Sequence, residues 1–248
     1  MATRAFGCIH DAPSVRGSHT LEQVLGASAG APPDTLDLHH LIDAIRNQGN
    51  RPTCCAFGTG QAIQLTAKQN GHPNAIVPAA LHLFAQAIGI THSDGVDGTT
   101  IGAAIAGAQT GGIMDESLLP YDPAKVYQDI DLDLLQKAVL RIGLKAHRVI
   151  AVGDDIDMAV KVALSTGKGV MAGIDVDQPF EDWAPGEVYP GLTQKRIGSH
   201  CMAILDFPAG LPRWVGSYGK DWAEAGYITT TWDVVRKAGS LWIVDYAP

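Results

Sequence analysis

Cysteine is scarce in this chain of 248 residues, which contains four: Cys8, Cys54, Cys55 and Cys201. Four cysteines cannot form a dense disulfide scaffold in a chain of this size, and none is spaced as C-x-x-C, so structural zinc is not expected. The first residues contain no apolar stretch typical of a secretory signal peptide. We therefore expect the protein to be in a reducing, cytoplasmic compartment. Export by a route that needs no signal peptide is an open alternative.

Positive charge and long apolar runs are scarce as well. The chain has 18 Lys and Arg against 26 Asp and Glu, a net charge of −8, whereas a nucleic-acid-binding surface needs clustered basic residues. The apolar run at residues 101–108 is far shorter than the roughly 18 residues that a membrane span needs. No nucleic-acid partner, membrane partner, metal or organic cofactor is therefore expected, and the oligomeric state stays open.

Helical and strand patterns occupy different parts of the chain. Apolar periodicity and end signals predict helices over residues 54–70, 78–89 and 100–110, and a further helix around 131–142. From about residue 169 onward, short β-rich runs separated by Gly and Pro are typical of an antiparallel sheet. This order predicts an α+β fold with a helical N-terminal lobe and a β-rich C-terminal lobe.

The run from Arg46 to Phe57 is the most informative stretch for chemistry. Cys54 falls in the first turn of a predicted helix, where the helix dipole and unpaired backbone N–H groups favour the thiolate over the thiol. Free cysteines are more commonly small buried hydrophobes, and that interpretation stays open for Cys54 taken alone. Gln48 lies six residues before Cys54, and His200 lies 146 residues after it, at the start of a predicted strand.

The order of these residues resembles that of the papain-like (C1-type) cysteine peptidases, and most of all their bacterial xylellain-like branch. The resemblance includes the stretch that ends in E-S-x-x-P-Y at Tyr121. It implies a two-lobed fold with the active site between the lobes, Cys54 as nucleophile, His200 as its base and Gln48 as an oxyanion-hole donor. It also implies a peptide or protein substrate, a peptidase domain over residues 37–248 and a pro-segment-like extension over residues 1–36.

One catalytic position departs from the family pattern. Alignment of Trp222 places Gly216-Ser217-Tyr218-Gly219 over the family's Asn-Ser-Trp-Gly, so the residue that orients the histidine falls on Gly216, with Ser217 next to it. Glycine has no side chain to orient an imidazole. Two hypotheses follow, namely a cysteine peptidase that works through a Cys-His pair, or a weakly active or inactive binding and adaptor protein on the same fold.

Overall fold

A seven-stranded sheet and the long helix packed against it organise the chain. The computed structural model describes residues 4–26, 30–72, 76–131, 133–134, 139–150 and 155–247. The strands lie in the order β3-β9-β4-β6-β7-β8-β5, and a separate two-stranded sheet joins β1 and β2. Strand bounds are β1 Ile113–Met114, β2 Val139–Leu140, β3 Gly143–Val149, β4 Gly169–Val176, β5 Val188–Tyr189, β6 Gly198–Asp206, β7 Arg213–Val215, β8 Tyr227–Thr230 and β9 Ser240–Ala247.

The longer helices come early, as the sequence predicts. The α-helices of the described residues with assigned bounds are α1 Leu21–Leu25, α2 Cys54–Gln69, α3 Ala80–Thr91, α4 Ile101–Gly111, α5 Ile156–Ser165, α6 Gln178–Glu181 and α7 Trp232–Arg236. Helices α2, α3 and α4 pack against one another, and α2 also packs on β4, β6 and β9 of the sheet. The predicted α+β fold with two lobes is confirmed.

Helix α2 is the central element of the core. Its residues 54–67 are all buried, because both lobes pack on this helix. Gly58 lies where a Cβ would come within 2.7 Å of the Cys201 sulfur on β6. Glycine destabilises a helix by up to about 1 kcal/mol relative to alanine, and here it permits the close approach of helix and sheet. This approach brings the first turn of α2 near strand β6, which carries His200.

Two predictions about the second half need correction. The predicted helix around 131–142 is wrong at its C-terminal end, because Val139 and Leu140 pair with Met114 and Ile113 in a short antiparallel ladder. Residues 132 and 135–138 of that prediction lie outside the described residues. The main sheet is antiparallel except at one edge, where β5 pairs with β8 in parallel.

Candidate active site

Cys54 is the first residue of α2 and is fully buried. The first N–H groups of a helix have no partner within the helix, so this position suits a negative charge. Burial raises the pKa of the Cys54 thiol, but interactions with the Cys55 and His200 side chains and the charge of His200 outweigh burial and lower that pKa to about 5. The position therefore favours the thiolate, which is the nucleophilic form of cysteine.

His200 lies on β6 among aromatic rings and is also fully buried. Its ring stacks on that of Tyr218 at 4.5 Å, and Phe180 packs at 5.9 Å. The Tyr218 hydroxyl lies 3.0 Å from Nδ1 of His200. The other ring nitrogen, Nε2, has no hydrogen-bond partner among the described residues. Tyr218 is thus the side chain that holds the imidazole by a hydrogen bond at Nδ1.

Gly216 does not leave an empty space beside His200, because the ring of Trp222 fills it. A Cβ at residue 216 would lie 2.5 Å from Cζ3 of Trp222 and 2.9 Å from its Cε3. Contacts this short exclude any larger side chain unless the indole moves. Trp222 in turn packs on Phe180 and Tyr218. An asparagine at position 216 is therefore incompatible with this packing.

Gln48 is held in one orientation by a hydrogen bond at each end of its amide. Its Oε1 accepts a 2.6 Å hydrogen bond from the Ser217 hydroxyl. Its Nε2 donates to two carbonyl oxygens, that of Arg51 at 2.6 Å and that of Ala5 at 3.1 Å. Carbonyl oxygens only accept hydrogen bonds, so Nε2 must face them. Ser217, predicted beside the orienting position, thus contacts Gln48 through its hydroxyl.

The strand-like stretch of residues 4–8, called the N-terminal segment below, lies across these residues. The Ala5 carbonyl oxygen accepts hydrogen bonds from Gln48 Nε2 and from the Tyr218 hydroxyl, each 3.1 Å long. The Tyr218 hydroxyl has one proton, so it donates to Ala5 and accepts from Nδ1–H of His200. Burial and the charge of Cys54 raise the pKa of Tyr218 well above its ordinary value, so the hydroxyl stays protonated as a donor.

Both ends of the N-terminal segment are fixed to the protein core. The Arg4 N–H donates to the Glu181 carboxylate at 3.0 Å, and the Cys8 N–H donates to the Ser199 carbonyl at 3.2 Å. A Cβ at Gly7 would lie 2.3 Å from the Cβ of Pro52, so the segment passes at a distance that only glycine permits;. With the segment in place, Cys54, His200 and Gln48 are each 0% exposed.

The structure therefore brings Gln48, Cys54 and His200 together, with Gly216 and Ser217 at their margin. Their catalytic roles stay predictions. The sequence alignment places Tyr218 over the family's tryptophan and predicts no contact with Ala5. Tyrosine carries a hydroxyl that tryptophan lacks. The replacement of tryptophan by Tyr218 is therefore the sequence signal that could have predicted a hydrogen bond to His200. No comparable signal in the sequence marks Ala5.

The described part of the chain contains no helix long and apolar enough to cross a membrane. The same residues include no group of three or more His, Cys, Asp or Glu side chains placed to hold a metal ion.

Comparison with solved structures identifies the fold as that of papain-like cysteine proteases. Xylellain, a cysteine protease from Xylella fastidiosa, is similar over 100% of this chain and 99% of its own, with a TM-score of 0.79 and 19% identity. Procathepsin B S9 from Trypanosoma congolense is similar over 99% of this chain and 87% of its own, with a TM-score of 0.75 and 16% identity. Digestive procathepsin L 3 of Tenebrio molitor larval midgut covers 99% of this chain and 76% of its own, with a TM-score of 0.69 and 19% identity.

No family model matches the sequence, and no curated protein matches it. The similarity to these proteins is therefore one of structure. At sequence identities of 16–19%, it shows the fold alone. The papain-like fold predicted from the sequence is confirmed, and xylellain, whose branch the sequence resembles, is among the similar structures.

Proposed function

We propose that this protein is a cysteine peptidase or amidase that hydrolyses peptide or peptide-like amide bonds through Cys54 and His200. The observation that carries this proposal is the position of Cys54 at the first turn of α2 beside His200, where the pKa of the thiol is lowered to about 5. A cysteine that served only as a core residue would have its pKa raised by burial. In this chain Cys55 is such a residue, because burial and its neighbouring thiols raise its pKa well above the ordinary value.

The proposed reaction is acyl transfer in two steps. The Cys54 sulfur attacks the substrate carbonyl carbon, and His200 gives its proton to the leaving amine as the C–N bond breaks. A thioester to Cys54 remains. Water then attacks that thioester with His200 as general base, which releases the acid and restores the thiolate–imidazolium pair.

Gln48 and Tyr218 are the proposed donors to the oxyanion. Both donate to one point, which the Ala5 carbonyl oxygen occupies in this structure. When the N-terminal segment moves away, one N–H of Gln48 and the Tyr218 hydroxyl become free to bind a substrate oxygen there. A donor of this kind typically stabilises the transition state by roughly 3 kcal/mol. Tyr218 also compensates for the glycine at position 216, since it accepts from Nδ1–H of His200.

The N-terminal segment is, in this proposal, a built-in inhibitor. Its Ala5 carbonyl uses the oxyanion donors, and the Phe6 ring lies 6.2 Å from that of His200. Because Cys54 is 0% exposed, a substrate reaches it only after the segment has left. The activity of the full chain therefore depends on how often the segment opens.

The test is the alkylation rate of Cys54 by iodoacetamide at pH 6 in a Gly7→Leu protein, whose segment cannot pack on Pro52. A thiol with a pKa of about 5 is mostly ionised at this pH, whereas an ordinary thiol with a pKa of roughly 8.5 is not;. We expect Cys54 to react about 10-fold faster than free cysteine at the same pH, because its larger ionised fraction outweighs the lower intrinsic nucleophilicity of a low-pKa thiolate, and His200→Ala to abolish most of that difference.

Labelling of Cys54 at the rate of free cysteine would contradict the proposal. The protein would then be a papain-fold binding or adaptor protein whose cysteine and histidine are structural. Labelling that is fast but insensitive to His200→Ala would contradict the proposed role of His200 while leaving an activated thiol.

A further inference from the structure

Cys8 lies in a cluster of thiols that does not include the proposed nucleophile. Its thiol is close to the thiols of Cys201 and Cys55 and to the His10 ring. All three cysteines are free and buried. Cys8 belongs to the N-terminal segment, whereas Cys55 lies on α2 and Cys201 on β6. The cluster thus joins the segment to both lobes.

Two glycines leave the space in which the sulfur atoms of Cys8 and Cys201 meet. A Cβ at Gly173 would lie 2.5 Å from the Cys8 sulfur, and one at Gly58 would lie 2.7 Å from the Cys201 sulfur. Gly173 is directly opposite Cys201 in the antiparallel pair of β4 and β6. Opposite residues place their Cβ atoms about 4.5–5.5 Å apart on one face of a sheet. The Cys8 sulfur therefore occupies the site next to the Cys201 side chain.

Cys8 has the surroundings of a reactive thiol. The His10 ring Nε2 lies 3.0 Å from the Asp175 carboxylate, and the Ser199 hydroxyl donates to the same carboxylate at 2.6 Å. The neighbouring Cys201 and Cys55 thiols and the His10 ring lower the pKa of Cys8 well below its ordinary value, against burial. The contact of His10 with Cys8 raises the pKa of His10 and outweighs burial, which lowers it. Together with the hydrogen bond to Asp175, this contact brings the pKa to about 9. The cluster is a Cys–His–Asp series with two further thiols beside its nucleophile.

We propose that Cys8 and Cys201 form a reversible disulfide that ties the N-terminal segment to β6 and so holds the cleft shut. The side chain of His10 is 28% exposed and that of Asp175 is 40% exposed, so solvent reaches the His10 edge of the cluster. The Cys55 thiol instead donates to the Thr99 carbonyl at 3.1 Å, which favours Cys201 as the partner. The regulatory consequence rests on the proposed function, whereas the disulfide itself does not.

Hydrogen peroxide is a sufficient oxidant. The Cys8 thiolate attacks one peroxide oxygen, the O–O bond breaks, and the departing hydroxide takes up a proton to leave as water. Cys8 is then a sulfenic acid. The Cys201 sulfur attacks that sulfur, the S–O bond breaks, and the thiol proton of Cys201 leaves with the oxygen as a second water. Two thiols and one peroxide thus give one disulfide and two waters, and a dithiol reductant reverses the change.

The test uses the full chain with Cys54→Ala, so that the proposed nucleophile cannot react. The protein is treated with hydrogen peroxide or with dithiothreitol, digested without reduction and mapped by mass spectrometry. We expect a peptide that links Cys8 to Cys201 only after peroxide. We also expect amide hydrogen exchange at Cys8 and Ile9 to slow by about 30-fold or more, a size typical of a disulfide that closes a long loop. Both changes should be absent when Cys8→Ser is added.

A Cys8–Cys55 linkage, or no linkage at all, would overturn the proposal. Unchanged amide exchange despite a Cys8–Cys201 linkage would overturn its role in holding the segment. These outcomes are independent of catalysis, because Cys54 is absent from the protein tested. Failure of Cys54 to behave as an activated thiol would contradict the peptidase proposal alone.

Discussion

The grip of the N-terminal segment on the cleft depends on the absence of a side chain at Gly7. A Cβ at this position would lie 2.3 Å from both the Cβ and the carbonyl oxygen of Pro52, and the Gly7 carbonyl accepts a hydrogen bond from the Thr99 N–H. Overpacking a fitted contact costs about 1–3 kcal/mol. A free-energy change of 1.4 kcal/mol changes an equilibrium constant about tenfold. Gly7→Leu should therefore raise the population of the open segment, and with it the rate of Cys54 alkylation, roughly 5- to 150-fold.

The assay is the iodoacetamide reaction of the full chain at pH 7, with Cys54 modification counted by tandem mass spectrometry to separate it from Cys55. Gly89→Leu is the matched control, because a Cβ at Gly89 meets nothing within 4 Å and the residue is exposed on α3. We expect its labelling rate to equal that of the natural chain. Equal rates for Gly7→Leu and Gly89→Leu would refute the reasoning that the segment limits access to Cys54.

Three further predictions concern Tyr218, Gly216 and Asp177. Tyr218→Phe in the Gly7→Leu protein should lower kcat/KM for peptide hydrolysis roughly 10- to 100-fold, because a charge-assisted hydrogen bond to His200 is lost. Tyr246→Phe should leave kcat/KM unchanged, since the Tyr246 hydroxyl makes no hydrogen bond with the described residues. Gly216→Asn should lower the free energy of unfolding in urea by about 1–3 kcal/mol, because it meets the Trp222 ring, and a gain in activity would contradict this packing argument;. Burial raises the pKa of Asp177, but hydrogen bonds from backbone N–H groups outweigh burial and hold this pKa below its ordinary value of 3.8. The ionised Asp177 carboxylate therefore stabilises the fold above pH 3.8, and this stabilisation is lost as the pH falls through the lowered pKa;. Asp177→Asn should therefore weaken the acid sensitivity of thermal unfolding, and an unchanged pH profile would exclude this role.

The sequence predicted the fold because local signals and long-range order agreed. The helix at Cys54–Gln69 begins and ends within one residue of the predicted bounds, and its apolar residues lie in the core. The order and spacing of Gln48, Cys54 and His200 predicted that these three residues form one site, and the structure brings them together. Their spacing is informative because the fold requires one residue before α2, one at its first turn and one on β6.

The hydrogen bonds around His200 could not be predicted in the same way. The contact of Tyr218 with Nδ1 of the imidazole and the packing of Trp222 against Gly216 both depend on tertiary structure. The position of Ala5 in the cleft likewise depends on the close approach at Gly7 and on the hydrogen bonds of Arg4 and Cys8. The helix predicted around 131–142 failed for a related reason, since pairing with β1 overrides local helical preference at Val139;.

In the proposed function, this chain is a peptidase whose nucleophile is Cys54, and its N-terminal segment blocks access to Cys54. The most direct measurement is cleavage of an unfolded protein substrate by the Gly7→Leu protein, followed by mass spectrometry of the products. We predict peptide-bond cleavage that is faster than with the natural chain and is absent from the Gly7→Leu protein that also carries Cys54→Ala. No cleavage by the Gly7→Leu protein, or cleavage that persists after Cys54→Ala, would contradict the claim.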